Sequence, residues 1–88
     1  MWIKTVKDLM FALRMGNYAW PGGYPLFFLT ADRGALHPNT VRSELWQIAR
    51  AVRDKDNAQW RVIACDVNWE DSELYDAHTN EKIEAAYA

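Results

Sequence analysis

The chain contains a single cysteine, Cys65, which excludes an intrachain disulfide and a multi-cysteine zinc site. No apolar run approaches the ~20 residues that a membrane span requires. The opening Met1-Trp2-Ile3-Lys4 lacks the basic-then-apolar layout of a secretory signal and passes directly into an amphipathic pattern. These absences set the expectation of a soluble cytoplasmic protein without a membrane partner. A phosphate-cradling loop is also missing, since Gly22-Gly23 is not followed by Lys-Ser/Thr and precedes a strand pattern rather than a helix. There is no overall positive excess: at a net charge of −2 the chain lacks the footprint a phosphate backbone needs, which disfavours direct nucleic-acid binding. Finally, 88 residues are too few for two cores, so residues 1–88 read as one domain.

What the chain has in quantity is aromatic surface. Five Trp, four Tyr and three Phe are more rings than so small a core can enclose, and the surplus is where a partner-binding surface is expected. Charge is divided along the chain. Residues 1–65 carry nine Lys/Arg against five Asp/Glu, whereas residues 66–88 carry seven Asp/Glu against Lys82 alone. The acidic part is read either as solvated loops or as an acidic interaction surface.

Thr5-Val-Lys-Asp8 has the spacing of a helix start, and Val6, Leu9, Met10 and Leu13 recur at helical intervals before Gly16-Asn17 closes the element. This predicts a first helix over about 6–15. The stretch from Tyr18 to Pro25, with two prolines and two adjacent glycines, reads as an irregular loop. Tyr24 to Thr30 reads as a strand, Ala31 to Gly34 as a tight turn, and Ala35-Leu36 as a stub of returning strand. His37-Pro38 opens a second helix, with the histidine helping to cap it and Val41, Leu45, Ile48 and Val52 on one face up to Asp54. A strand is predicted from Trp60 to Val67. Leu74 to Thr79 and Lys82 to Tyr87 then pair as a hairpin through Asn80-Glu81, or else Asp71 to Asp76 makes one helical turn.

This order predicts a small two-layer α+β domain, two helices packed on a mostly antiparallel sheet of three to five strands. The expected core is Val6, Leu9, Leu13, Leu26, Phe28, Val41, Leu45, Ile48, Val52, Val62 and Ala64.

No arrangement of reactive residues has a catalytic spacing, so no enzyme activity and no cofactor are expected. Cys65, His78 and Asp66 supply the types for a thiol nucleophile with base and orienter, but Cys65 lies in an apolar strand where a free cysteine acts as a buried hydrophobe. His37, His78 and Cys65 never fall at a paired-ligand spacing, so no metal site is expected; His78 is assigned to a carboxylate on the hairpin. Asp66, Glu70, Asp71, Glu73 and Asp76 are numerous enough for acid/base work, yet nothing in the sequence separates two of them into different environments.

The aromatic and acidic loop residues are the better candidates. Tyr18, Trp20 and Tyr24 lie in the first loop, and Trp69, Glu70, Asp71 and Tyr75, with His78, surround the break after the last long strand. If antiparallel pairing brings these loops to one edge, they form an aromatic, negatively rimmed patch suited to an Arg- or Lys-bearing protein surface or a cationic ligand.

The segments Tyr18-Ala-Trp-Pro-Gly-Gly-Tyr-Pro-Leu-Phe-Phe28, Trp60 to Asp71, Leu74-Tyr-Asp-Ala-His-Thr79 and Ile83-Glu-Ala-Ala-Tyr87 resemble a group of small uncharacterised proteins of tailed bacteriophages and prophages. Asn80 stands where that group's pattern has glycine, a change that still permits a tight turn. The resemblance implies a phage accessory protein acting in the bacterial cytoplasm, and no reaction. By analogy, it implies a non-enzymatic protein that binds a host protein, such as an inhibitor of host defence of the anti-CRISPR or anti-restriction type, and the aromatic, negatively rimmed patch adds the expectation that this host protein has a basic surface. The alternatives are sequestration of a small-molecule or nucleotide ligand, or a minor role in virion assembly. Oligomeric state is left open.

Overall fold

Thr5 starts the first helix with a reciprocal cap. Its hydroxyl accepts the Asp8 N–H at 3.2 Å and the Asp8 carboxylate accepts the Thr5 N–H at 3.2 Å. α1 then runs Val6–Arg14, and Gly16 at φ +80° makes the left-handed exit that side chains resist. The computed structural model describes residues 1–87. Leu9 and Ala12 point fully into the core, while Val6 and Leu13 pack at its margin.

The region Tyr18 to Pro25, expected as an irregular loop, is a hairpin. β1 (Tyr18–Ala19) pairs antiparallel with the start of β2 (Tyr24–Thr30), setting Tyr18 opposite Pro25 and Ala19 opposite Tyr24. Pro25 is tolerated at this early strand position, and the next donor, Leu26 N–H, reaches the Asn17 carbonyl at 3.0 Å. The turn between them needs its glycines. At Gly22, φ is +108° and a Cβ would lie 2.5 Å from the Tyr24 ring, so a side chain there displaces the tyrosine.

β2 is the hub of a four-stranded antiparallel sheet. β3 (Ala35–Leu36) returns against Leu29 and Phe28, as the turn signal predicts, and β4 (Val62–Val67) pairs along the length of β2. Met1 to Ile3 line the outer edge of β4, with Trp2 opposite Ala64. Between Leu29 and Thr30 the register slips: Leu29 faces Ala64 but Thr30 faces Val62, leaving Ile63 as the extra residue of a bulge. This overturns one core assignment. Simple alternation puts Val62 and Ala64 on the same face, whereas the bulge sends Val62 and Cys65 into the core and leaves Ala64 partly exposed on the other side.

The helical run after His37 is two helices rather than one. α2 spans Pro38–Ser43 and α3 spans Leu45–Asp54, broken at Glu44, whose φ and ψ are −108° and 26°. His37 caps α2 as expected, its Nδ1 accepting the Asn39 N–H at 3.0 Å. Lys55 in the left-handed region ends α3. Val41 on α2 and Ile48 and Val52 on α3 are buried with Leu9, Leu26 and Phe28. Leu45 is only partly buried, because the break turns it to the margin.

The predicted C-terminal hairpin contracts to one antiparallel bridge, Tyr75 opposite Lys82, around a turn in which Asn80 adopts φ +63°. Asp76 explains the contraction. Its buried carboxylate accepts the His37 N–H at 2.8 Å, the His78 N–H at 2.7 Å and the Thr79 N–H at 2.8 Å. Donors that an extended hairpin would place in a ladder are thus gathered on one side chain, which staples this turn to the start of α2. Ile83 then buries its side chain. The architecture is a small α+β domain of three helices and a four-stranded antiparallel sheet among the described residues.

Candidate binding surface

Where β4 ends, Asn68 turns inward and organises the chain around it. Its Nδ2 donates to the Asp71 carbonyl at 3.0 Å and the Glu84 carbonyl at 3.1 Å, and its Oδ1 accepts the Asp71 N–H at 3.2 Å. The Ala86 and Tyr87 N–H groups donate to the carbonyls of Asn68 and Trp69, each at 2.9 Å. A buried amide with these partners fixes two otherwise irregular segments side by side. Trp69 is held on the outside of the resulting turn, 46% exposed.

Three rings meet there. Trp69 lies 4.6 Å from Tyr24 in a tilted pair and 6.1 Å from Tyr87 in a near-parallel stack, and Tyr24 is 6.4 Å from Tyr87. The neighbouring Tyr24 phenol pushes the Tyr87 pKa above its ordinary value. The hairpin adds two more aromatics at this end of the sheet. Trp20 rests against Gly23 with most of its indole in solvent, 76% exposed. Tyr18 donates its hydroxyl to Glu84 Oε2 at 2.9 Å, and the bond to that carboxylate holds the phenol pKa above its usual value.

Carboxylates border the rings. Glu84 stands beside Tyr18, while Glu70 and Asp71 follow Trp69 and are exposed. Asp71 is held in place, since its Oδ1 accepts the Glu73 N–H at 2.9 Å. The structure therefore brings Tyr18, Trp20, Tyr24, Trp69, Glu70 and Asp71 to one end of the sheet. It does not bring Tyr75 or His78 there. Tyr75 sits across from Lys82, and His78 packs edge-on against Trp60 at 5.0 Å with Nε2 3.3 Å from Glu44 Oε1. The carboxylate that meets His78 is thus at the α2–α3 break rather than on the hairpin.

Glu84 and Tyr87 belong to the surface but were not singled out from the sequence. Their only signal is position: with Ile83 buried, the alternating residues that follow include exposed ones next to the acidic run. Only the Asn68 clamp, a tertiary contact, brings them to Trp69.

The reactive candidates are dispersed. Cys65 is 3% exposed in the core, and burial pushes its thiol pKa up to about 11, so it is a thiol at neutral pH. Asp66, its neighbour, faces the opposite side of β4, and His78 is engaged by Trp60 and Glu44. Among the described residues, no helix is long and apolar enough to cross a membrane. The chain matches no protein-family model, and no curated protein or solved structure aligns with it at a significant level.

Proposed function

We propose that this protein is a non-enzymatic binding protein whose aromatic end grips a basic surface on another protein. One observation carries the reading: five rings from three separated segments converge beside Glu70, Asp71 and Glu84, and all but the half-buried Tyr24 stay substantially in solvent. Rings needed only for folding would be enclosed, and an exposed aromatic cluster with charge at its border has the composition of a protein-binding hot spot. Arginine or lysine side chains fit it through cation–π contact with Trp69 or Trp20 and ion pairing with the rim. Tyr24 and Trp69 already touch at 4.6 Å, leaving no slot for a planar ligand between them, which favours a protein surface over a sandwiched nucleotide. The likeness of the aromatic and acidic segments to phage accessory proteins supports a bacterial host protein as partner and inhibition of a host defence component as the purpose.

Capture from bacterial host lysate on the immobilised chain, followed by mass spectrometry, tests this reading. A partner with a basic surface should be retained, and Trp69→Ala or the pair Glu70→Gln and Asp71→Asn should each weaken it. The loss expected for the tryptophan is about 2 kcal/mol or more, with circular dichroism unchanged. Retention of the same partner by both variants removes this end from the interface.

A further inference from the structure

A second surface, of opposite charge, lies on the helical side at the other end of β4. Between the first turn of α1 and the exposed side of α3 runs a shallow furrow made of adjoining hollows, the larger two about 480 and 570 Å³. They share Val6 and Arg53, and the furrow continues through Lys4, Val52 and Lys55 to a third hollow beside Arg61 and Ile63. Its floor is aliphatic, formed by Val6, Ala49 and Val52. Its walls are cationic: Lys4, Arg50, Arg53, Lys55 and Arg61 line the three hollows, and no Asp or Glu does. At one end stands Trp46, 88% exposed, on the same helical stripe as Arg50 and Arg53 four and seven residues on. Asp54 pairs with Arg53 at 2.8 Å, but both are solvent-exposed, and an exposed pair yields easily to a competing carboxylate.

We propose that this furrow docks an acidic, amphipathic segment of a partner protein, distinct from the basic partner of the aromatic end. Its aliphatic side chains would lie on Val6, Ala49 and Val52, its carboxylates would meet the surrounding cations, and Trp46 would close one end. Charge complementarity selects the sign of the partner, and the apolar floor selects its kind. A nucleic-acid backbone would satisfy the cations but leave the floor with nothing to bury, and the acidic residues 66–88 oppose a long polyanion. An amphipathic helix in a groove satisfies both requirements at once.

The test is selection of a random-sequence peptide display library on the immobilised full chain, with the enriched peptide then synthesised, labelled and titrated by fluorescence anisotropy. Enriched sequences should combine Glu/Asp with aliphatic residues. Their affinity should fall on the order of tenfold or more in Arg50→Glu with Arg53→Glu and weaken as salt screens the charges, while Trp69→Ala leaves it unchanged. Should the double reversal fail to fold, Trp46→Ala, which removes an almost fully exposed ring, must still weaken binding. The proposal is overturned if no peptide is enriched, if the enriched peptides are neutral or basic, if their binding ignores these substitutions, or if an oligothymidine competes through the same arginines more tightly than the peptides do. Because Trp69→Ala is the arm that tests the aromatic end, failure of one surface is distinguishable from failure of the other.

Discussion

Asp76 shows how one side chain holds a fold in place. It is fully buried, yet burial, which by itself raises its pKa, is outweighed by the N–H groups of Thr79, His37 and His78 and the Thr40 hydroxyl, leaving the carboxyl below its ordinary value of 3.8. A depressed folded pKa means that the carboxylate's stabilisation is complete above the unfolded value and is lost as pH falls through the folded one. Asp76→Asn turns one acceptor oxygen into a donor facing N–H groups and should cost about 2–3 kcal/mol near neutral pH. Melting temperatures recorded against pH should then show the two proteins converging in acid, below the ordinary carboxylate range. A gap that stays constant through the carboxylate range would show that the Asp76 pKa is the same folded and unfolded, and a gap that widens in acid would show that it is raised in the fold. In the sequence Asp76 is one of several carboxylates in a run, as Asn68 is one of several loop residues. Nothing local distinguishes the two buried ones, because what makes them organisers is donors from segments far along the chain.

At the scale of elements, the periodic signals were legible and the interruptions were not. α1 with its cap, β2, the stub β3 and β4 lie where pattern and turn residues put them. The break at Glu44 has no such signal, since Val41, Leu45, Ile48 and Val52 fit an unbroken helix equally well. Two contacts from far along the chain flank it, Asp76 at the start of α2 and His78 on Glu44, and local side-chain bonds accompany them: Ser43 Oγ donates to the Thr40 carbonyl at 3.0 Å and Gln47 to Glu44. The bulge at Ile63 is equally silent, since a strand's alternation does not reveal where its partner skips a residue. Leu45 and Ile48, both on α3, are side chains of equal size that the helical pattern treats alike, but Leu45 directly follows the break. Ile48→Ala, at a site with no solvent exposure, should cost about 2–5 kcal/mol, whereas Leu45→Ala, at the core's margin, should cost about 1–2 kcal/mol. Urea midpoints at constant slope measure both. Equal losses would mean that Leu45 is as enclosed as Ile48, as in an uninterrupted helix.

The whole molecule carries its charge division in space. The step from a basic sequence to an acidic one after Cys65 falls within β4, so the strand has the cationic furrow at its start, beside Ile63, and the aromatic, acidic end just past Val67. Six residues at ~3.3 Å each separate these ends by about 20 Å, more than twice the ~8 Å over which charge is felt at physiological ionic strength. Each end therefore presents its own potential to solvent, and the net charge of −2 describes neither. The convergence of Trp69 with Tyr24 was expected from antiparallel pairing of their strands, but the furrow was not, because its walls come from residues scattered from Lys4 to Arg61. Ionic quenching of tryptophan fluorescence reads this polarity directly. Iodide concentrates beside cations and caesium beside carboxylates, so Trp46, among Arg50 and Arg53, should be quenched chiefly by iodide, and Trp69, next to Glu70 and Asp71, chiefly by caesium. Trp46→Phe should accordingly remove iodide-sensitive emission, Trp69→Phe should remove caesium-sensitive emission, and added neutral salt should erase the contrast. Equal sensitivity of the two indoles to both ions at low ionic strength would show that the two ends share one averaged potential.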